Sequence, residues 1–330
     1  MTILRRRSLL GAATLLAAPT LASGAFAQAA FPARPVTMII PFAAGGPTDT
    51  VGRLIAQSMG AELGQPVVVE NVGGAGGTLG AQRVAQARPD GYTILLHHIG
   101  MSTIPTLYRR LAYDPVNGFE TVGLVTEVPM TLVARRNFPA SNLAELVQVV
   151  RREREKLNYA NAGIGAASHL CGLLFQKALD TAMTTVPYRG TGPAMNDLVA
   201  GTVDLMCDQT TNTTEQIRAG SIRAFAVTTP ERVAALPDLP TSAEGGLPGF
   251  EVSVWHGLYA PKGTPAPIVE RLNRALVTAL RDETIGRRFA DLGTAPVPAA
   301  RATPAVHRTF WQSDIQKWRP LIQAAGQFAD

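Results

Sequence analysis

Cysteine is almost missing from this chain of 330 residues, where Cys171 and Cys207 are the whole complement. Two isolated thiols cannot supply a CxxC pair, and no HExxH or carboxylate cluster stands in for one, so no metal centre is expected. Cys171 falls on the apolar face of an expected helix and Cys207 in an expected strand, which reads as two buried thiols. A disulfide stays open, because the sequence does not set the Cα separation that decides it. Long apolar runs are missing as well. The longest is broken by Pro19 and Ser23 and falls short of the roughly 20 residues a membrane span needs. The nucleotide motifs are absent too: Gly73–Gly80 (GGAGGTLG) lacks the Gly-Lys-Ser/Thr ending of a P-loop, and a dinucleotide fingerprint starting at Gly74 would need Gly or Ala where Leu79 stands. There is no G-x-S-x-G elbow, and Ser168 beside His169 makes no dyad, since neighbours at a helix start project in different directions. These gaps argue against an enzyme and against any cofactor.

What is present begins with Arg5-Arg6-Arg7-Ser8-Leu9-Leu10, a run of apolar and small residues through Leu21, and Ala25-Phe26-Ala27. A basic region, a hydrophobic region and an A-x-A site predict a signal peptide over residues 1–27, hence an exported, periplasmic product. The Arg-Arg-x-Ser-Leu-Leu pattern admits Sec or twin-arginine export. Losing those residues removes three arginines and no acid, which lowers the formal charge from +5 to +2. Arg151-Arg152-Glu153-Arg154-Glu155-Lys156 mixes signs at helical spacing and reads as a solvated helix face, so no nucleic-acid partner is expected.

The most informative stretch is Val36–Asp49, VTMIIPFAAGGPTD. An apolar strand stops at a Gly-Gly-Pro turn, and Thr48 or Asp49 can cap a helix whose Val51, Leu54, Ile55 and Met59 share one face. A helix N-terminus offers unpaired N–H groups and a positive dipole end, a seat for a carboxylate or phosphate. The design recurs at strand 66–70 followed by Asn71–Gly77, again at Asn161–Ser168, and at Tyr188–Thr191. Gly45 and Gly46 permit positive φ and close approach of a ligand to the backbone, with Phe42 as an apolar wall. Asp49 would repel an anion and is better employed as a cap or as the i,i+4 partner of Arg53. His97 and His98 are adjacent in a strand, so they should face opposite ways and not share a metal, one of them reaching the strand's carboxyl end. Arg189 could pair with a dicarboxylate.

Strands are expected at 36–42, 66–71, 93–98, 127–135, 157–161, 183–188, 203–208, 222–228 and 252–260. Helices are expected near 48–63, 76–88, 141–154, 167–180, 191–200, 265–281 and 303–325. The alternation predicts parallel α/β sheets, and about 300 exported residues predict two domains. Segment 230–250, with four X-Pro bonds, reads as a surface loop with one short helix, a strut beside a hinge.

PVTMIIPFAAGGPTD and LGQPVVVENVGGAGGTLGAQRVAQARPDGYTILL, followed in order by NYANAGIGAASHLCGLLF, VPYRGTGPAMNDLVAGTVDLMCDQ and IRAFAVTTPERVAALPDLPTSAEGGLPGFEVSVWHGLYAPKGTP, carry a resemblance. Together they resemble the substrate-binding proteins of tripartite tricarboxylate transporters, the Bug receptors of Gram-negative bacteria. The resemblance implies an α/β, two-lobe, type II periplasmic-binding-protein fold with two interlobe crossover strands. It places residues 28–126 plus 251–330 in one lobe and 127–250 in the other. It implies a monomeric receptor that captures a small carboxylate for membrane permease subunits, or one that signals through a sensor kinase. The expected contacts are Phe42, Gly45, Gly46, Pro47, Thr48, Asp49, Ala75, Gly76, Gly77, His98, Gly165, Ala166, Ser168, Arg189, Gly190, Thr191 and Asp208. Relatives usually carry Ser or Thr around 166–167, whereas this chain has Ala166-Ala167 and loses a hydroxyl there. Asp208 can orient a water or accept from an ammonium group.

Overall fold

The computed structural model describes residues 31–326, 328 and 329; the expected signal peptide lies outside them. The chain opens with β1 (Val36–Ile40), α1 (Pro47–Leu63), β2 (Val67–Asn71), α2 (Thr78–Ala85), β3 (Thr93–His98) and α3 (Gly100–Leu107). A long β4 (Phe119–Arg135) leads to α4 (Leu143–Glu153), β5 (Asn158–Asn161), α5 (Ala167–Ala178) and β6 (Thr184–Pro187). Then come α6 (Thr191–Ala200), β7 (Leu205–Gln209), α7 (Thr210–Arg218) and β8 (Ile222–Val227). The last elements are β9 (Ser253–Pro261), α8 (Ala266–Arg281), α9 (Glu283–Asp291), β10 (Ala295–Pro296) and α10 (Pro304–Ala325).

Strand order is β2-β1-β3-β9-β4-β7-β5-β6, with β8 and β10 also paired to β4. β1 runs parallel to β2 and β3, and β5 runs parallel to β6 and β7. β4 joins the two groups: Phe119–Pro129 pairs with β9, and Met130–Arg135 pairs with β7 and β8. The chain returns through Val252, whose N–H donates to the Thr228 carbonyl at 2.9 Å, into β9. Two α/β halves on a shared strand are the two-lobe architecture that the resemblance implied. β1 is buried on both faces, as a covered parallel strand must be, and so reads as a continuous apolar run. α8 lays Val269, Leu272, Leu276 and Ala279 into the core and ties to α1 through Arg271 and Glu62 at 2.8 Å.

Several expectations are corrected. Cys171 and Cys207 form a disulfide, with Cα atoms 6.0 Å apart; helix face and strand face meet, so two buried thiols was the wrong reading. α3, α7 and α9 were not foreseen. α3 contains Pro105. α7 begins Thr-Thr-Asn-Thr-Thr, poor helix formers, held instead by tertiary bonds: the Thr210 and Thr214 hydroxyls donate to the carbonyls of Gly293 (3.1 Å) and Leu292 (3.3 Å). Segment 230–250 holds no helix; it is a chain of turns pinned by the Val227 N–H on the Pro240 carbonyl and the Ser242 N–H on Val227, both 2.9 Å.

Candidate functional site

α1 starts at Pro47, two or three residues before a helix capped by Thr48 or Asp49 would start. Gly46 is the N-cap without a side-chain bond, and Pro47 opens the helix because its fixed φ suits the first position. Neither Thr48 nor Asp49 caps. Helix geometry leaves the N–H groups of Thr48 and Asp49 without an intrahelical acceptor. The Asp49 carboxylate turns away to Arg53, Asn71 and the Gly45 N–H, each 2.9 Å distant. Burial alone would raise its pKa, but those partners together hold it below the usual value. Gly45 uses the freedom its missing side chain permits, at φ +77°, whereas Gly46 lies at −88°, an ordinary extended residue.

On the other side α5 starts at Ala167 after an extended Ala166. The Ser168 hydroxyl accepts the Ala162 N–H (2.9 Å), which leaves its proton free to donate. His169 accepts from the Gly165 N–H at 3.4 Å and so steadies the loop.

The two halves meet directly. The Ala43 N–H donates to the Arg189 carbonyl at 3.0 Å. The Tyr108 hydroxyl lies 2.7 Å from the Ala75 carbonyl and 2.9 Å from that of Ile164, and the Thr103 hydroxyl is 2.9 Å from the Gly165 carbonyl. Gly76, at φ +61°, faces Ile164 so closely that a Cβ would overlap its carbonyl oxygen. A Cβ on Gly190 would stand 2.8 Å from the Ala43 nitrogen. The glycine loops are therefore contact surfaces between the two halves.

Between them lies a narrow cavity of about 10 Å3 lined by Phe42, Pro47, Thr48, His98, Ala162, Ala167, Ser168, Thr191, Asp208 and Gln209. That is about the room one water takes, so the two halves are drawn together over the site. Of the expected contacts, Phe42, Pro47, Thr48, His98, Ser168, Thr191 and Asp208 line it. Gly46, Gly76, Gly165 and Gly190 are buried where the loops meet, Ala166 packs with Phe42 and Ala162, and Gly77 lies against His97 and Phe42. Gly45, Ala75 and the Arg189 side chain are exposed and off the lining. Ala162, Ala167 and Gln209 line the cavity without having been expected; their signal was the carboxyl ends of β5 and β7, where open α/β sheets hold ligands.

His97 and His98 do not point apart. β3 ends at His98, so strand alternation stops there, and their ring centroids lie 5.0 Å apart, both packed on Phe42. His98 Nδ1 accepts the Gly100 N–H at 2.9 Å, so a neutral ring carries its proton on Nε2. Burial pushes His98 down to about 3 and keeps it neutral. His256, 3.3 Å from the Thr48 hydroxyl, is likewise pushed well below its usual value, by burial first and by His98 second. Asp208 moves the other way. Burial raises it to about 6, against the pull of Asn212, the Gln209 N–H and Thr191. No lysine or arginine is among the lining residues.

Among the described residues no helix is long and apolar enough to cross a membrane. Residues 51–327 match the profile of the tripartite tricarboxylate transporter family receptor. A protein of Agrobacterium vitis, described as a UPF0065 protein in the TAR-I ttuE-ttuC' intergenic region, is 53% identical over 96% of this chain and 91% of its own length. The solved periplasmic binding protein BugD is 51% identical, covering 91% of this chain and 100% of its own, with a TM-score of 0.89. MatC of Rhodopseudomonas palustris, solved with bound malate, is 45% identical over 88% of this chain and 100% of its own, with a TM-score of 0.85. With the profile spanning most of the sequence and relatives this similar over nearly their whole length, the chain belongs to the tripartite tricarboxylate transporter receptor family.

Proposed function

We propose that this receptor captures a small carboxylate between a lobe of residues 28–126 plus 251–330 and a lobe of residues 127–250, and delivers it to the membrane permease of a tripartite transporter. The observation that carries the reading is the closed cavity at the N-termini of α1 and α5, with neutral donors and no side-chain cation on its wall. The Thr48 and Asp49 N–H groups, the Ser168 hydroxyl and His98 Nε2 are the donors assigned to the ligand, the Thr191 hydroxyl being held by Asp208; Phe42 and Pro47 are its apolar walls. The glycines at 45–46, 76–77, 165 and 190, with Ala75, Ala166 and Arg189, bring the loops together around it. Hydrogen bonds to a charged acceptor contribute roughly 1.5–3 kcal/mol each. Each helix end adds about 0.3–1 kcal/mol. Three or four such contacts reach the roughly −8 kcal/mol of micromolar binding without an arginine clamp. Malate bound to MatC, a relative of the same fold, supports the ligand class.

The test is a thermal-shift and calorimetric screen of residues 28–330 against mono-, di- and tricarboxylates. A micromolar ligand at about 1 mM adds roughly 4 kcal/mol of stability. A panel in which no carboxylate raises Tm or gives heat overturns the reading.

A further inference from the structure

We propose that Asp208 decides which carboxylates this cavity accepts: it selects ligands that present a hydrogen-bond donor, an ammonium or hydroxyl group, at the β7 end, and rejects those that present a second ionised carboxylate there. The inference rests on the reading of the cleft as a carboxylate site and adds the chemistry of the ligand's other substituent.

Asp208 is 1% exposed and stands on the cavity wall at the carboxyl end of β7. Its own bonds come from neutral donors: Asn212 Nδ2 at 2.6 Å, the Thr191 hydroxyl and the Gln209 N–H. No cation of the neighbouring elements acts on it. β4 offers Thr131, whose hydroxyl lies 3.1 Å from the Asp208 carbonyl oxygen. β5 offers Tyr159, a neutral phenol bonded to the Ser168 carbonyl at 2.8 Å. Elsewhere on the wall stand Thr48 of α1, neutral His98 of β3 and Ser168 of α5. Beside Asp208, the buried Gln209 Oε1 has no hydrogen-bond partner. A buried acceptor left unpaired is costly, and a carboxylate that meets a second carboxylate in a dry site cannot stay ionised beside it.

The β7 end is therefore rich in acceptors and negative, while the donors gather at the starts of α1 and α5. A ligand fits when its carboxylate lies toward the helix starts and a donor lies toward Asp208 and Gln209. With burial already holding Asp208 near 6, a ligand that offers a bare carboxylate there enters only with a proton, on itself or on Asp208.

Succinate, L-malate and L-aspartate share one four-carbon diacid skeleton and differ at C2, which carries hydrogen, hydroxyl or ammonium. Calorimetry on residues 28–330 at pH 7.5 should find succinate at least about tenfold weaker than the better of the other two. Aspartate ahead of malate identifies an ionic contact, and malate ahead of aspartate a hydroxyl contact; either supports the proposal. Succinate binding should strengthen about tenfold between pH 7.5 and 5.5, whereas aspartate binding should change by less than about threefold. Asp208→Asn should close the gap between succinate and the better ligand to within about threefold, since an amide can donate to the second carboxylate. Equal affinities for all three in the unaltered chain overturn the proposal, as does a gap that survives Asp208→Asn. If that variant does not fold, the pH comparison on the unaltered chain decides. Carboxylate binding without this discrimination sinks the Asp208 assignment alone, whereas a panel in which nothing binds sinks the carboxylate reading with it.

Discussion

Replacing Gly76 by alanine separates closure from local strain. Gly76 sits at φ +61°, where an added Cβ costs about 1 kcal/mol in any state of the protein. That Cβ also overlaps the Ile164 carbonyl, which belongs to the opposing loop, so the second penalty exists only when the cleft is shut. Pushing Ile164 and Gly165 away breaks the 2.9 Å contacts of Tyr108 with Ile164 and of Thr103 with Gly165. At about 1 kcal/mol each the closed form loses about 2 kcal/mol, and ligand affinity falls about 30-fold. Gly64, at the end of α1, supplies the control: its φ is +73° and no atom lies within 4 Å of the place a methyl group would take. Calorimetry with the tightest carboxylate, beside urea unfolding of the free protein, should show both variants destabilised by similar amounts. Only Gly76→Ala should lose affinity. Binding within about threefold of the unaltered chain would refute the argument that these loops must touch for the ligand to be held.

Removing the disulfide as Cys171→Ala with Cys207→Ala should cost about 4 kcal/mol in urea unfolding, from the entropy of a loop closed over a separation of 36 residues; a loss under about 1 kcal/mol would show the bond to be idle. Asp208→Asn should raise stability at pH 7.5 by about 2–3 kcal/mol. The sign follows from the direction of the shift: a carboxyl raised from 3.8 to about 6 favours the folded state fully below 3.8, and that contribution is lost as pH climbs through 6. The advantage of the variant should therefore vanish near pH 4, and a constant advantage would contradict it. Export should remove residues 1–27, so the intact mass of the periplasmic product should correspond to a chain beginning at Gln28; a mass that retains them would contradict the cleavage site.

Strong local patterns made much of the fold legible. β1, with Val36, Met38, Ile39 and Ile40 all buried, announces itself as an apolar run, and α8 announces itself by its apolar stripe. α7 did not, because its threonines favour a helix only once Gly293 and Leu292 accept their hydroxyls, a tertiary fact. The disulfide was invisible for the same reason: nothing local brings α5 against β7. In the site, strand-end placement together with the family resemblance pointed to Thr48, Ser168, Thr191 and Asp208, all on the cavity wall. It could not tell a glycine that faces the cavity from one such as Gly190, pressed against Ala43 of the opposing loop. His97 and His98 misled because strand alternation holds only while the strand continues.

The absence of lysine and arginine from the cavity wall has a consequence for how such receptors diversify. A site anchored by an arginine commits its gene to that codon, because one substitution abolishes recognition. Main-chain N–H groups cannot be mutated away, so under the binding mode proposed above the anchoring half of this cleft is inherited with the fold itself. The remaining wall, where Ala162, Ala167, Thr191, Asp208 and Gln209 stand, is free to change one side chain at a time. Duplicated copies can then drift from one organic acid to another through single-base steps, each intermediate still able to hold something.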